Sequence, residues 1–354
     1  MVEPGGSRWQ LRRYYERRTE EETRQPEQAE GEVAEGEDGS SWSTPEESLT
    51  AESVAPSQRG ALMDDPLEER QGNYLLSFGF PGSGKTTFQS FLAYYFTHIG
   101  PYEAQPRVAP QESVQGWEPL AVFNEWMRLW GQGAFPPANP VDEGDIRELS
   151  FRIQPLRRAS KATELSFLEV SGELMTQVIA DRVRDPSMIA TLNRYFGNEQ
   201  LRLILVLVVD PEQGVENDIL FQNLFAFLDL HFPRLRERTS LAVLVSKPMQ
   251  ALGQLQMLDE RYRDHTELSA ELCETFVQRF TPRTYRILDG WSDQQRVQLM
   301  ALHLGEVTEG GEGPRLSRPD YGDIHDIFLW IYGQLTGERP VPPWWQRVLE
   351  WFRL

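Results

Sequence analysis

Most of this chain interleaves apolar with polar positions, but Leu201-Arg202-Leu203-Ile204-Leu205-Val206-Leu207-Val208-Val209 is almost unbroken aliphatic sequence. Such a run suits a strand buried on both faces, because neither side of it meets water. Leu241-Ala242-Val243-Leu244-Val245 has the same character. Shorter apolar runs predict further strands over Asn73–Phe78, Ile146–Ile153, Glu164–Val170 and Val297–Leu304. Between the strands, apolar residues return every three or four positions, as at Phe88, Phe91, Leu92, Tyr95 and Phe96. That spacing predicts helices over 85–98, 117–131, 172–183, 215–231, 248–258 and 266–288. Strands that alternate with helices predict an α/β fold, with a mostly parallel central sheet covered by helices on both faces.

The two ends lack this pattern. Residues 1–72 are rich in Glu, Ser, Pro, Gly and Gln and poor in aliphatics, so they predict a disordered acidic tail that cannot bury enough apolar surface to offset its ordering entropy. Within it, Trp9, Leu11, Tyr14 and Tyr15 lie among arginines and glutamates, a pattern compatible with a short helix over 8–24. Residues 336–354 hold a proline-stiffened linker, Arg339-Pro340-Val341-Pro342-Pro343, followed by the aromatic run Trp344-Trp345-Gln346-Arg347-Val348-Leu349-Glu350-Trp351-Phe352. A helix this short needs a surface to lie on. It either packs back on the domain or docks elsewhere, on a protein partner or peripherally on a membrane. The folded domain is expected over 73–335.

Charge sharpens this division. The formal net charge is −19, and residues 1–72 carry 8 arginines against 18 acidic residues, so more than half of the excess sits in the tail. An acidic chain argues against a nucleic-acid surface. A single cysteine, Cys273, excludes an intramolecular disulfide, and no apolar stretch is long enough to span a membrane. The expectation is a cytoplasmic protein. Only three lysines accompany 32 arginines, and two of the three, Lys85 and Lys247, follow predicted strands at sites with candidate chemistry.

The first of these sites is Gly79-Phe80-Pro81-Gly82-Ser83-Gly84-Lys85-Thr86-Thr87, a G-x-x-x-x-G-K-T segment between a predicted strand and a predicted helix. Its glycines let the backbone curl so that successive N–H groups point at a phosphate chain, and the following helix adds its positive end. In such a P-loop Lys85 reaches the β/γ-phosphates and the Thr86 hydroxyl ligates Mg²⁺. A P-loop also needs an acid on a neighbouring strand to hold the metal, directly or through water. Glu169 ends one predicted strand and is followed three residues later by Gly172, whose N–H would approach a γ-phosphate. Asp210 ends another, at the turn Asp210-Pro211-Glu212. Both remain candidates. The second lysine site is Ser246-Lys247, directly after Leu241–Val245. The Lys247 stem would lie along a purine ring while its ammonium steadies the P-loop. The five histidines show no metal-ligand spacing, and one cysteine cannot build a cysteine zinc site.

Taken in order, these motifs resemble the TRAFAC-class GTPase domain, in which a P-loop, a D-x-x-G strand, a buried strand and an N/T-K-x-D strand succeed one another. They are most similar to bacterial GTPase-like proteins, matched here at Ser77–Thr87, at Ser171-Gly172-Glu173 and at Ser246-Lys247. The resemblance covers about residues 73–335 and implies a three-layer P-loop NTPase fold, Mg²⁺, and GTP or GDP as ligand, with a protein partner. It implies that Glu173, following Gly172, orients the attacking water. Several positions differ from the pattern. The metal-linked acid is Glu169 rather than aspartate, the base-reading acid falls at Met249, and the switch threonine position offers only Asn139. The last base-contacting loop falls at Ala301-Leu302-His303-Leu304-Gly305. Because Met249 has no acceptor for a guanine edge, ATP and ADP stay open beside GTP and GDP. Three functions fit: a GTPase-like switch, a hydrolysis-deficient nucleotide-binding scaffold, and a P-loop ATPase or small-molecule kinase. For a kinase, Arg152, Arg157 and Arg158 are the candidate lid arginines.

Overall fold

The computed structural model describes residues 72–107, 119–137, 146–156, 161–170, 195–291, 294–310 and 313–338. The acidic tail before residue 72, the expected helix over 172–183, Gly172, Glu173, Asn139, Arg157, Arg158 and the aromatic segment after 338 lie outside the described residues. For Glu169 only the backbone position is described.

Seven strands form one sheet: β1 (Gly72–Phe78), β2 (Tyr102–Arg107), β3 (Ile146–Pro155), β4 (Thr163–Val170), β5 (Leu201–Val209), β6 (Thr239–Val245) and β7 (Val297–Ala301). Their order is β2-β3-β4-β1-β5-β6-β7. Strands β4, β1, β5, β6 and β7 pair in parallel, and β3 runs antiparallel to both of its neighbours. The outermost strand, β2, sets Pro106 opposite Phe151 and exposes Glu103, Gln105 and Arg107.

The continuous apolar run forms β5 and is buried on both sides. Its residues 203, 205, 207 and 209 join a core with α3 (Val215–His231), α5 (Pro248–Leu258), α6 (Ala270–Phe280) and α7 (Pro282–Asp289). Residues 204, 206 and 208 join a second core with α1 (Lys85–Tyr94), α2 (Pro119–Gly131) and α8 (Gly322–Thr336). A short helix, α4 (Leu235–Arg238), precedes β6. The chain thus has a three-layer α/β architecture, a mostly parallel sheet with helices on both faces.

Four features differ from the sequence expectation. The helix expected over 85–98 ends as α1 at Tyr94 and continues as a wider turn, Tyr95–Ile99, closed by Gly100 N–H to Tyr95 O at 2.7 Å. The helix expected over 266–288 is two helices, because Pro282 has no N–H with which to continue the ladder. Buried Asp218 on α3 caps the second of them, accepting from Arg283 N–H (3.2 Å), Thr284 N–H (2.8 Å) and the Thr284 hydroxyl (2.7 Å). Strand β7 stops at Ala301 rather than Leu304, since His303 turns aside to Asp323 on α8. Finally, β2, α8 and a hairpin of β8 (Gly305–Gly310) with β9 (Gly313–Pro319) were not anticipated. The α8 signal was present, as Ile324, Ile327, Phe328, Ile331, Tyr332 and Leu335 make a regular buried stripe.

The hairpin is fastened to the end of α2. Leu316 N–H donates to Gly133 O at 2.7 Å, and Ala134 bridges to Arg315. A Cβ on Gly133 would fall 2.6 Å from Leu316 O, so only glycine permits this approach. No helix among the described residues is long and apolar enough to cross a membrane.

Candidate functional site

The carboxyl ends of β1, β5, β6 and β7 lie side by side, with Phe78 paired to Leu207, Val209 to Val245, and Val245 to Ala301. The segments that leave them therefore share one end of the sheet. They are the Gly79–Gly84 loop, Asp210, Ser246-Lys247 and Leu302-His303. Glu169 lies at the same end of β4, one residue beyond Leu168, which pairs with Leu76. In open α/β sheets ligands bind at this end, where the strand order switches direction. Here the switch is at β1, flanked by β4 and β5.

The loop takes its shape from three glycines. Gly79 is buried, and a Cβ there would lie 2.6 Å from Val208 O and 2.9 Å from Ser83 Oγ. Gly82 and Gly84 have φ of 74° and 92°, values that L side chains rarely adopt. Gly84 also passes so close to β6 that an added Cβ would stand 3.2 Å from Ser246 Cβ. Ser83 N–H donates to Phe80 O at 3.1 Å, and Phe88 N–H to Gly84 O at 2.9 Å, so the curl runs directly into α1. No side chain caps the start of α1, so its first turn presents backbone N–H groups to the loop. Lys85 folds back over the loop and donates to Gly79 O (2.9 Å) and Phe80 O (2.7 Å). Phe80 packs against the core on the α3 side, and Pro81 is exposed. Thr86 and Thr87 occupy the first turn of α1 and are partly buried.

The helix behind the loop is pinned from below. Gln89, 1% exposed, donates to Ser77 Oγ (3.1 Å) and Leu168 O (3.2 Å), which ties α1 to β1 and β4. Trp130 Nε1 donates to Ser90 Oγ (3.0 Å), which ties α1 to α2. Neither tie was legible as such, because each joins residues far apart in sequence.

At the end of β5, Asp210 is 2% exposed and every polar atom it carries is engaged. Its N–H donates to Asn217 Oδ1 (3.3 Å) and its C=O accepts from Asn217 Nδ2 (2.8 Å). Oδ1 accepts from Glu212 N–H (3.1 Å), and Oδ2 accepts from Lys247 Nζ (3.0 Å). Lys247 also donates to Glu212 Oε2 (3.1 Å), and Gln250 Nε2 donates to Glu212 Oε1 (3.0 Å). Burial opposes the charge on Lys247, but hydrogen bonds to Asp210 and Glu212 outweigh it and raise its pKa. The hydrogen bond from Lys247 in turn lowers the Glu212 pKa. On sequence, the Lys247 ammonium was to steady the P-loop. Here it steadies the turn after β5, and Ser246 makes the approach to the P-loop. Asp210 does start the turn the sequence suggested, Pro211–Gln213, but from a buried position. Met249, on the first turn of α5, is exposed.

After β7, His303 is held by Asp323, whose Oδ2 accepts from the His303 N–H (2.8 Å) and faces Nδ1 at 2.6 Å. Among the described residues no group of three or more His, Cys, Asp or Glu is arranged to hold a metal ion. Cys273 is buried in the α3-side core, and desolvation raises its thiol pKa to about 12, which leaves it inert.

No protein-family model matches this chain, and no curated protein matches it. Among solved structures it is similar to a chain of the signal recognition particle receptor SRb-GTP/SRX complex from Chaetomium thermophilum. That likeness has a TM-score of 0.33 and 9% identity, and covers 68% of this chain and 94% of the other. A likeness of that degree carries no functional weight.

Proposed function

We propose that this chain binds a purine nucleotide with Mg²⁺ and works as a GTPase-like switch that hydrolyses slowly or with an activator. The observation that carries the reading is the Gly79–Thr87 loop. It is a backbone curl with two left-handed glycines, opens onto an uncapped helix start, and has its one lysine folded into it. Backbone N–H groups of the loop and of α1 take the phosphates. Lys85 exchanges the carbonyls of Gly79 and Phe80 for β/γ-phosphate oxygens, which are stronger partners because they are charged. Mg²⁺ would be held by the Thr86 hydroxyl, an oxygen donor at the start of α1, with Glu169 at the end of β4 acting through water. When bound it would neutralise charge on the phosphates. In this reading Gly172 senses the γ-phosphate, Glu173 orients water, and the stem of Lys247 lies beside the base. The protein is cytoplasmic and passes its state to a protein partner.

A second reading is a nucleotide-bound scaffold that does not hydrolyse. It is favoured by Met249, which offers no acceptor to a base edge, and by a carboxylate at Glu173. The test is calorimetric titration of the full chain with GTP, GDP, ATP and ADP, each with Mg²⁺, alongside phosphate release. Guanine-selective binding with turnover supports the switch, and binding without turnover supports the scaffold. Preference for adenine nucleotides moves the assignment to an ATPase or a small-molecule kinase. A chain that binds none of the four refutes nucleotide binding.

A further inference from the structure

We infer that Asp210 and Glu212 are positioning residues for Lys247, and that Asp210 is not a partner of the magnesium ion. The inference rests on the nucleotide-binding reading above. Each Asp210 oxygen already has a partner on the β5 turn side, Glu212 N–H for one and Lys247 Nζ for the other, so the carboxylate is oriented toward the lysine. The Asp210 side chain is 3% exposed and has an ammonium 3.0 Å away, a charge that repels a divalent cation. Asn217, 0% exposed, holds the Asp210 backbone from both sides, and turning the carboxylate toward the loop would break its own bonds to Glu212 N–H and Lys247 Nζ.

The same bonds decide what Lys247 offers. Two carboxylates hold its ammonium on the side of the β5 turn, and that turn is clasped to α5 by Gln254 Nε2 to Pro211 O at 2.8 Å. The ammonium is thus withdrawn from a base edge, and the aliphatic stem is the part left to lie against a ring face. Ser246, the preceding residue, lies near enough to the P-loop that a Cβ added at Gly84 would stand 3.2 Å from the Ser246 Cβ, which places the start of that stem beside the loop. Of the two acids the sequence offers for the metal, Glu169 is then the one assigned to it.

The experiment measures GDP and ADP affinity of the full chain, with saturating Mg²⁺ and with the metal chelated. The proteins are wild type, Asp210→Asn, Glu212→Gln, Lys247→Met and the double variant Asp210→Asn/Lys247→Met. Asp210→Asn keeps the acceptor for Glu212 N–H and removes the charge that holds the lysine. It should weaken both nucleotides about tenfold and leave the ratio of affinities with and without Mg²⁺ as in wild type. The double variant should bind no more weakly than Lys247→Met alone, since one interaction is removed either way. Exposed Glu212→Gln covers the case in which Asp210→Asn fails to fold, and should cost about two- to threefold, again with the Mg²⁺ ratio unchanged. A ratio that collapses in Asp210→Asn makes Asp210 a metal partner and overturns the proposal. Additive losses in the double variant do the same, as does a variant that melts lower yet binds like wild type. Those outcomes leave nucleotide binding standing, whereas a wild type that binds neither nucleotide removes both.

Discussion

The P-loop and the turn after β5 sit at the same end of the sheet but are built on opposite plans. Gly79–Thr87 is one contiguous segment whose shape is held by missing side chains and by backbone hydrogen bonds. The other corner is assembled from side chains: Asp210, Glu212 and Asn217 from one segment, and Lys247 and Gln250 from another 35–38 residues away from Glu212. The first is specified by spacing, because a glycine's freedom is a property of the residue itself. The second is specified by register, since Val209 must pair with Val245 before Lys247 can meet Asp210.

The strongest way to break this contrast is to give the loop a side chain. Gly79→Val would drive a Cβ to 2.6 Å from Val208 O and should cost more than ~3 kcal/mol. Urea denaturation should show the loss without any nucleotide present. Lys85→Ala separates binding from folding in the same segment. Stability should stay within about 1 kcal/mol of wild type, since its hydrogen bonds to the Gly79 and Phe80 carbonyls are individually modest. Nucleotide affinity measured by calorimetry should fall roughly tenfold to a hundredfold. A variant that loses that much stability in the empty state would mark Lys85 as structural.

Across the sheet end, Lys247→Met should behave differently and cost about 2 kcal/mol with no ligand present, because it leaves a buried carboxylate short of its counter-charge. The value is at the low end for such a pair because the Lys247 side chain is 30% exposed. An unchanged melting temperature would mean the pair is a surface contact only. The smallest effect is its pH dependence. The raised Lys247 pKa contributes stability that is full below the unfolded lysine value, about 10.4, and is lost as pH rises through the folded value. The lowered Glu212 pKa contributes stability present above the unfolded value, about 4.3, and lost as pH falls through the folded one. The stability gap between wild type and Lys247→Met should therefore be widest between about pH 5 and 10 and narrow at both ends. Denaturation at several pH values would show it, and a gap that is flat across the range would deny the ion pair its role.

The same distinction explains what could be read in advance. Strands β5 and β6 were legible because burial on both faces demands uninterrupted apolar sequence, and the P-loop because its glycines are spaced by backbone geometry. The split at Pro282 was legible in principle, since proline cannot continue a helix, but the apolar period across it concealed the break. Strand β2 was not legible. Its sequence, Tyr-Glu-Ala-Gln-Pro-Arg, is short and polar, and it becomes a strand only because β3 is there to pair with it. Lys247 was singled out by its rarity, yet nothing local says that its charge faces Asp210 rather than the P-loop. The hold of Gln89 on Leu168 and that of Asp323 on His303 are of the same kind.

Strand β2 has one more consequence. A sheet margin is a row of donors and acceptors waiting for another chain, and proteins that must remain separate at high concentration spoil that row. Here Pro106 deprives the margin of a donor, while Glu103 and Arg107 place opposite charges two residues either side of Gln105. The strand whose weak pattern hid it from sequence reading is for that reason a poor seed for aggregation. What makes it hard to recognise also blunts the β2 edge as a template for pairing.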